Sequence, residues 1–366
     1  MLKVLYLINH AGKAGTETYV QSLVERLNNK EIKAYLCYNE EGLLVERMKA
    51  LGVETIRIKM RNPFDFRAAW QLSKECKKRG IDLIHAQYLR ENYTAMWSRL
   101  FNPRVRVMYT SHFIMGNNFI LRFFNRLLNP LEANVVAVCN KGREQLISNG
   151  VSGKKISVIF NGVDPKMWSE PVKPALREEL GISSEDFLIL SAARFADDKG
   201  HHYLIDAIAE LKKITSKSFK VVLAGDGPLL EDRKKQVREL GLEKDVYFIG
   251  FRKDMKNLFY SADVYINSSR HEALSFLMLE VLASGLPLIA TDMGGNGDII
   301  NDETKCGMLV KYEDSRELAE TVLKIMEDGK LREELRANAV KAINERFNLD
   351  KIVADTYKLY LDSTNK

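Results

Sequence analysis

Long apolar runs and paired cysteines are both missing from this chain of 366 residues. No apolar run reaches the roughly 18 residues that a helix needs to span a bilayer. The apolar start at Met1–Ile8 is short and leads into a glycine-rich turn, so we expect a buried first strand rather than a signal peptide. Four scattered cysteines without a C-x-x-C pair exclude a disulfide scaffold and a zinc site and predict a cytoplasmic protein: Cys37, Cys76, Cys139 and Cys306.

Acidic residues are missing from a long stretch of the first half. None occurs between Asn92 and Leu131, where there are five arginines. Residues 1–165 carry 25 Lys and Arg against 14 Asp and Glu, whereas the rest of the chain is net acidic. This asymmetry predicts that the first half faces an anionic partner. No recognisable nucleic-acid module accompanies the charge, so we do not expect nucleic acid to be that partner.

Strand-like and helix-like segments alternate along the whole chain. Such alternation is typical of parallel sheets covered by helices, and ligands of such sheets bind beyond the carboxyl ends of the strands. We therefore expect an α/β protein of two doubly wound domains facing a central cleft, with a hinge at Asp164–Pro174. The predicted strands are Lys3–Asn9, Lys33–Tyr38, Glu54–Ile58, Leu83–Ala86, Arg106–Ser111, Val135–Val138, Ile156–Ile159, Phe187–Ala192, Phe219–Ala224, Val246–Ile249, Val264–Ile266, Leu288–Ala290 and Met308–Leu309.

Four glycine-bearing turns follow predicted strands, at residues 10–17, 161–164, 225–228 and 294–298. Glycine permits close backbone approach, and a helix that starts at such a turn points free N–H groups at an anion. One such turn is more often plain punctuation, but four at strand ends predict a phosphate-bearing ligand. A dinucleotide fingerprint is disfavoured because Leu230 stands where a third glycine would be, and G-x-x-x-x-G-K-[ST] is absent.

Two glutamates eight residues apart, Glu272 and Glu280, flank an apolar run at the predicted start of a helix. At about 100° per residue, the spacing places Glu280 about 80° around and roughly 12 Å along the axis from Glu272. One carboxylate would then reach each end of an elongated polyhydroxy ligand. The alternative is two surface glutamates on an amphipathic helix.

Arg194 and Lys199 lie five residues apart in one loop and can converge on a diphosphate. The alternative is that Asp197 and Asp198 simply neutralise them. The chain has no D-x-D motif, so we expect no metal-bridged diphosphate, and no other cofactor is implied.

Taken together, these motifs resemble those of the family 4 retaining glycosyltransferases of the GT-B fold. The resemblance covers essentially the whole chain and includes E-x7-E, Arg194 with Lys199-Gly200, and the glycine turns. It implies an N-terminal acceptor-binding domain (1–165), a nucleotide-sugar-binding domain (166–346) and a C-terminal helix (347–366) that packs on the first domain. Ala273, Asp298 and Asn140 depart from the common family pattern, which leaves the donor open.

The resemblance also implies a role for each matching residue. Arg194 and Lys199 bind the donor diphosphate, Glu280 the ribose hydroxyls and Glu272 the transferred sugar. Gly15 lets the first domain close over the diphosphate, and His112 lies near sugar and phosphate, although a lone histidine after a strand is more often structural. The remaining donor-binding residues are Gly225, Phe251, Arg252, Leu274, Ser275, Phe276 and Leu277, of which Phe251 fits the core equally well.

An amphipathic segment, Asn117–Pro130, falls within the acid-free stretch. Arg122 and Arg126 lie one turn apart, and the apolar residues Phe119, Ile120, Phe123, Phe124, Leu127 and Leu128 crowd one side. The pattern predicts a helix on an anionic membrane surface, at the inner face of the plasma membrane. The alternative is an ordinary helix that faces the core with solvated arginines.

The expected function is retaining, metal-independent transfer of a sugar from a nucleotide-sugar donor to a cell-envelope glycan, polysaccharide or lipid-linked acceptor. A UDP-sugar is the favoured donor and GDP-mannose the second choice. The alternatives are a GT-B sugar-nucleotide 2-epimerase and a non-catalytic subunit that binds sugar nucleotides.

Overall fold

The computed structural model describes residues 1–12, 15–170 and 172–365 and divides into two compact units. The first unit comprises Met1–Asn161 with Leu349–Lys366, and the second comprises Gly162–Asn348. The boundary lies between Asn161 and Gly162, just ahead of the expected hinge, which itself contains the short helix Pro165–Ser169. Pro171, within that hinge, lies outside the described residues, as do Lys13 and Ala14 of the first glycine turn.

Each unit is built on one parallel sheet. In the first unit the strand order is β3-β2-β1-β4-β5-β6-β7, and in the second it is β10-β9-β8-β11-β12-β13. The strands are β1 (Leu2–His10), β2 (Ile32–Glu40), β3 (Glu54–Arg57), β4 (Leu83–Ala86), β5 (Arg106–Ser111), β6 (Asn134–Ala137), β7 (Ile156–Val158), β8 (Phe187–Ala192), β9 (Phe219–Ala224), β10 (Val246–Phe248), β11 (Val264–Asn267), β12 (Leu288–Thr291) and β13 (Met308–Val310).

Helices connect the strands within each unit. They are α1 (Gly15–Leu27), α2 (Leu43–Ala50), α3 (Phe66–Arg79), α4 (Leu89–Ser98), α5 (Phe119–Leu128), α6 (Asn140–Ser148), α7 (Pro165–Ser169), α8 (Leu176–Leu180), α9 (His201–Ile214), α10 (Leu230–Glu239), α11 (Met255–Ser261), α12 (Phe276–Ala283), α13 (Asn296–Ile299), α14 (Ser315–Glu327), α15 (Gly329–Glu345) and α16 (Leu349–Thr364). No helix in the described part of the chain is long and apolar enough to cross a bilayer.

Local chemistry explains where these elements begin and end. The central strands are near-continuous apolar runs buried on both faces, as parallel sheets require, and β4 and β8 are examples. Helix α3 begins where the Asp65 carboxylate accepts the Ala68 N–H, and it ends at Gly80 in the left-handed conformation.

The order of the strands reverses once in each sheet. The reversal lies between β1 and β4 in the first unit and between β8 and β11 in the second. Loops that leave the two strands at such a switch point diverge and open a crevice at the carboxyl edge of the sheet. The first glycine turn follows β1, the Arg194 and Lys199 loop follows β8, and Glu272 follows β11, while the other three glycine turns follow β7, β9 and β12.

Candidate active site

Two loops meet at the carboxyl edge of the second unit's sheet. Arg194 follows β8, and Lys199 ends the short 3-10 turn Asp197–Lys199, while Glu272 lies in the segment that follows the neighbouring strand β11. The Ser268 hydroxyl donates to the Lys199 carbonyl at 2.8 Å, and the Arg270 N–H donates to the Asp198 carbonyl at 2.8 Å. These bonds hold the two loops in register.

An ion pair joins two of the expected site residues. Lys199 Nζ lies 2.8 Å from Glu272 Oε1, and both side chains are mostly buried. Asp198 lies 3.5 Å from Lys199 and 4.0 Å from Arg194. The Arg194 side chain nevertheless remains 70% exposed, so its guanidinium has room for an anion. An ammonium has three donors, so Lys199 can hold Glu272 and still donate to a phosphate.

Glu272 is not on the helix, and the expected helical spacing of the two glutamates is wrong. Helix α12 begins at Phe276, four residues after Glu272, because the Ser275 hydroxyl accepts the Met278 N–H and serves as N-cap. Glu272 is instead held in the preceding loop, where its carbonyl accepts the Gly295 N–H at 3.1 Å. Glu280 lies on the helix itself.

The start of α12 places a helix terminus beside the ion pair. Ser275, Phe276 and Leu277 are partly exposed, whereas Leu274 is buried and anchors the loop. The first N–H groups of any helix lack intrahelical partners and favour anions. One turn further on, burial raises the pKa of Glu280 to about 7. The carboxyl group is therefore poised between its two protonation states near neutral pH.

The β9–α10 turn packs closely on the loop that carries Arg194. Gly225 has φ of +139°, and a Cβ on it would lie 2.0 Å from the Ala193 carbonyl oxygen. Its N–H donates to the Gly250 carbonyl at 2.8 Å, which brings the following loop alongside. Phe251 in that loop is 66% exposed and is not part of the core.

Arg252, expected to bind the donor, has protein partners in the structure. Its guanidinium donates to Glu179 at 2.5 Å and to Asp254 at 2.6 Å, and these carboxylates raise its pKa. The structure thus places Arg252 in the expected loop, with its charge already compensated.

His112 lies in the first unit, directly after β5. Its Nε2 is 2.9 Å from Gln87 Oε1, and the Gln87 amide nitrogen donates to the His85 carbonyl at 3.2 Å. The Gln87 amide cannot be flipped, because its oxygen would then face the His85 carbonyl oxygen and two acceptors would meet. Gln87 Oε1 therefore accepts a hydrogen bond from the Nε2–H of His112, and the neutral ring keeps its lone pair on Nδ1. Burial lowers the pKa of His112 to about 3, so the ring is neutral at physiological pH.

Helix α1 starts at Gly15, after the part of the turn that lies outside the described residues. Beyond the carboxyl ends of the neighbouring strands β4 and β5, the Tyr88 ring stacks on Phe113 at 6.0 Å. Sequence reasoning named Asp198 as a possible partner of the two cations, but it missed Gln87 beside His112 and Tyr88 beside Phe113. The position of both missed residues immediately after β4 was the available signal.

Helix α5 is confirmed near its expected bounds, but its apolar residues do not lie on one side. Leu128 is buried in the core and Phe124 packs against it, while Phe119, Ile120, Phe123 and Leu127 are between 58% and 83% exposed. The first two residues belong to the packed face of the helix, and the other four form a second, outward face. Arg122 and Arg126 are exposed, and Arg122 Nε donates to the Ser148 carbonyl at 2.8 Å.

Among the residues described here, no three of His, Cys, Asp and Glu are grouped so that they could hold a metal ion.

Known proteins resemble this chain in sequence and in fold. The Campylobacter jejuni N-acetylgalactosamine-N,N'-diacetylbacillosaminyl-diphospho-undecaprenol 4-alpha-N-acetylgalactosaminyltransferase is 28% identical over 80% of each chain. The Escherichia coli UDP-Gal:alpha-D-GlcNAc-diphosphoundecaprenol alpha-1,3-galactosyltransferase is 25% identical over 92% of this chain and 91% of its own. The crystal structure of Anabaena HepE with UDP shares the fold, with a TM-score of 0.85 and 22% identity over 98% of this chain and 99% of its own.

Two family models match consecutive parts of the chain. The model for Glycosyltransferase Family 4 matches residues 14–167, and the model for Glycosyl transferases group 1 matches residues 172–342. Together they span both units, and the resemblance inferred from the motifs is confirmed. The chain belongs to the group 1, family 4 glycosyltransferases and has their GT-B fold of two Rossmann-like domains.

Proposed function

We propose that this glycosyltransferase moves a sugar from a UDP-sugar to a lipid-linked or cell-envelope glycan acceptor. Two observations outside the chain support the choice. The Escherichia coli relative is named for UDP-galactose and a diphosphoundecaprenol acceptor, and the Campylobacter jejuni relative is also named for a diphospho-undecaprenol acceptor. HepE, which shares the fold, was crystallised with UDP. GDP-mannose is the second candidate donor.

The observation that carries the proposal is the meeting of Arg194, Lys199 and Glu272 at the switch point. A departing nucleoside diphosphate bears about two negative charges, which a guanidinium, an ammonium and a helix N-terminus can compensate. Arg194 is largely exposed and Lys199 retains free donors beside the start of α12. In this arrangement the diphosphate needs no bridging metal, and Glu272 is left to accept hydrogen bonds from sugar hydroxyls.

Retention of configuration fits the residues at hand. We expect the bond between the sugar and the acceptor oxygen to form on the face from which the diphosphate departs, while the acceptor proton passes to the leaving phosphate oxygen. Glu272 is held by Lys199 at 2.8 Å, which favours a role in binding over nucleophilic attack. His112 offers a neutral Nδ1 acceptor for a hydroxyl, since its Nε2 is engaged by Gln87.

The test is turnover of a donor panel with lipid diphosphate-linked sugars as acceptors, followed by the mass and anomeric configuration of the product. UDP-sugars with hexose or N-acetylhexosamine groups should yield a retained product, and added EDTA should leave the rate unchanged. Lys199→Met should lower kcat/KM by roughly 10²–10³, the usual loss of one charge-stabilising donor. Lys213→Met, which removes an exposed ion pair with Glu210, is the matched control.

Three outcomes would contradict the proposal. Donor binding without turnover would indicate a non-catalytic subunit, and epimerised donor without product would indicate a 2-epimerase. A product with inverted configuration would refute the retaining course while leaving sugar transfer intact.

A further inference from the structure

A cavity of about 800 Å³ opens at the amino edge of the first unit's sheet, where β4 and β5 begin. Its walls come from the last turn of α3, the turn that enters β4, the segment ahead of β5 and the end of α16, all within the first unit. The volume is within the range of small-molecule sites, about 300–1,000 Å³. We call it the basic cavity, and its charged and polar lining includes Lys77, Asp82, Asn102, Arg104, Arg106 and Thr364.

The basic cavity is separate from the carboxyl edge of the same sheet. Strand β5 begins with Arg106 at the cavity, and His112 follows the other end of that strand. At about 3.3 Å per residue, the chain from Arg106 to His112 spans roughly 20 Å. A small ligand in the cavity therefore does not contact His112 or its partner Gln87.

Three cations line the basic cavity against a single carboxylate. In the part of the chain that the structure describes, Lys77, Arg104 and Arg106 form no ion pair. The carboxylate belongs to Asp82, and one of its oxygens accepts the Lys3 backbone N–H at 2.9 Å. Three positive charges against one negative charge leave two net positive charges around the cavity.

Neighbouring residues do not offset this excess. The carboxylates of Glu54 and Glu75 both pair with Arg79, so they serve another cation of α3. Burial, and after it the charge of Arg106, lowers the pKa of Arg99. The two guanidiniums therefore repel each other, and an anion bound at Arg106 would reduce that repulsion.

Asn102 supplies a second, uncharged feature of the basic cavity. The residue is only 7% exposed, and its backbone is fully used, since its N–H donates to the Ser98 carbonyl and its carbonyl accepts the Val105 N–H. Among the described residues its side-chain amide has no hydrogen-bond partner, yet the amide is not sealed in the core. An amide that is mostly buried and unpaired is costly, so a ligand group that bonds to it is favoured.

We infer that the basic cavity binds a small phosphate monoester that carries hydroxyl groups. The phosphate lies on Arg104, Arg106 and Lys77, and a hydroxyl of the same ligand bonds to the Asn102 amide, which can both donate and accept. A phosphate monoester bears a charge of about −1.5 to −2 at pH 7, which matches the two net positive charges. Guanidiniums bind phosphate oxygens through charge-assisted hydrogen bonds. The inference goes beyond the proposed function, because the proposed transfer uses none of these residues.

Isothermal titration of the full-length protein with glucose 1-phosphate tests the inference. The titration is made in wild type and in Lys199→Met, because that variant weakens the phosphate contacts proposed in the second unit. We expect Lys199→Met to retain one site with the affinity that this site has in the wild type. Inorganic phosphate should bind at least about tenfold more weakly, because it leaves Asn102 unpaired, and glucose should not bind measurably.

Variants of the cavity are made in the Lys199→Met protein. Arg104→Gln plus Arg106→Gln should weaken binding of glucose 1-phosphate about 100-fold, since one charge-assisted hydrogen bond changes affinity about tenfold. Asn102→Ala should weaken glucose 1-phosphate about tenfold and leave the affinity for inorganic phosphate unchanged. Arg61→Gln plus Arg67→Gln makes the same charge change at exposed positions of the first unit and is the matched control.

Hydrogen exchange locates the bound ligand. Glucose 1-phosphate should protect residues 76–82 and 102–106, which line the cavity, and leave the second unit unchanged in Lys199→Met. Circular dichroism checks the fold of each variant. Arg104→Gln alone changes an exposed residue ahead of β5 and should still weaken binding about tenfold if the double variant does not fold.

Four outcomes would overturn the inference. These are absence of binding, loss of all binding in Lys199→Met, equal affinity of the cavity variant and its control, and protection confined to residues outside the cavity. Inorganic phosphate that binds as tightly as glucose 1-phosphate would refute the monoester as the ligand. Sugar transfer is measured separately, so a failure of the cavity to bind leaves the proposed function standing, and a failure of transfer leaves the cavity site standing.

Discussion

Ionisation of Glu280 should make the stability of the folded protein depend on pH. Burial raises its pKa to about 7 from an ordinary value of 4.5 in the unfolded chain. The folded state therefore holds the proton more tightly, so stability is greatest below the unfolded pKa and falls as pH rises toward 7. At pH 8, where Glu280 must be ionised in the folded protein, the raised pKa lowers the free energy of unfolding by about 3 kcal/mol relative to its value near pH 4.

Glu280→Gln removes this ionisation. Urea unfolding should show equal stability of variant and wild type near pH 4, and a variant that is more stable by about 2–3 kcal/mol at pH 8. Binding of UDP at pH 8 should fall at least about tenfold, because an amide replaces the carboxylate proposed to accept the ribose hydroxyls. Glu327→Gln, at an exposed position of α14, is the control. A stability difference that does not change with pH would contradict the prediction.

At the scale of single residues, the sequence predicted which residues form the site better than it predicted the contacts between them. The motif places Lys199 and Glu272 in one site, but their 2.8 Å ion pair depends on hydrogen bonds between the β8 and β11 loops. The tautomer of His112 depends on Gln87, whose amide is oriented by the His85 carbonyl. Such contacts join residues that are far apart in the chain, and one sequence carries no local signal for them.

At the scale of single elements, two glycine turns of the second unit allow the close packing at the site to be tested. Gly225 and Gly241 both have positive φ, but a Cβ on Gly225 would meet the Ala193 carbonyl oxygen at 2.0 Å, whereas a Cβ on Gly241 meets nothing within 4 Å. A substitution at Gly241 therefore tests backbone strain alone, whereas a substitution at Gly225 adds a steric clash to that strain.

Gly241→Ala should cost about 1 kcal/mol through the left-handed backbone alone. Gly225→Ala should cost more than about 3 kcal/mol, because backbone atoms must move, and the Arg194 loop would be displaced with them. Urea unfolding measures the difference, and isothermal titration with UDP checks that only Gly225→Ala loses affinity. Equal stability losses would show that the close contact is relieved at little cost.

Elements with a strong apolar pattern were predicted well. Every expected strand is present, and β4, β5, β8 and β9 have the expected bounds, because buried parallel strands are continuous apolar runs between polar turns. The start of α12 was predicted too early, since Ser275 ends the loop by capping the helix. The two faces of α5 were merged, because periodicity shows which residues share a side but not which neighbours cover them.

At the scale of the whole molecule, the chain crosses between units twice. The first unit is completed only by α16, which follows the last residue of the second unit. Helix α16 packs on α1, and Arg26 pairs with Asp350 at 2.7 Å. The final helix carries Tyr357 and Tyr360. The sequence predicted this helix and the two α/β domains. The sequence could not show that Tyr360 is buried whereas Tyr357 is only partly buried, because that difference depends on the polar side chains beneath the helix.

Tyr360 is fully buried and ties α16 to the centre of the first unit's sheet. Its hydroxyl lies 2.8 Å from His85 Nδ1 and donates to the Tyr6 hydroxyl at 3.2 Å. Tyr360→Phe would leave both groups without this partner in a region closed to water, at a cost of about 1–3 kcal/mol. Tyr357→Phe, on the same helix but only partly buried, should cost no more than about 0.5 kcal/mol.

The location of the loss distinguishes a local anchor from a general defect. In hydrogen exchange followed by mass spectrometry, Tyr360→Phe should lower the protection of β1, β4 and α16, whereas β8 to β13 should exchange as in the wild type. This follows because every bond that the substitution removes lies within the first unit. If the second unit lost protection equally, stability would be shared across the chain and α16 would not act as the anchor of one unit.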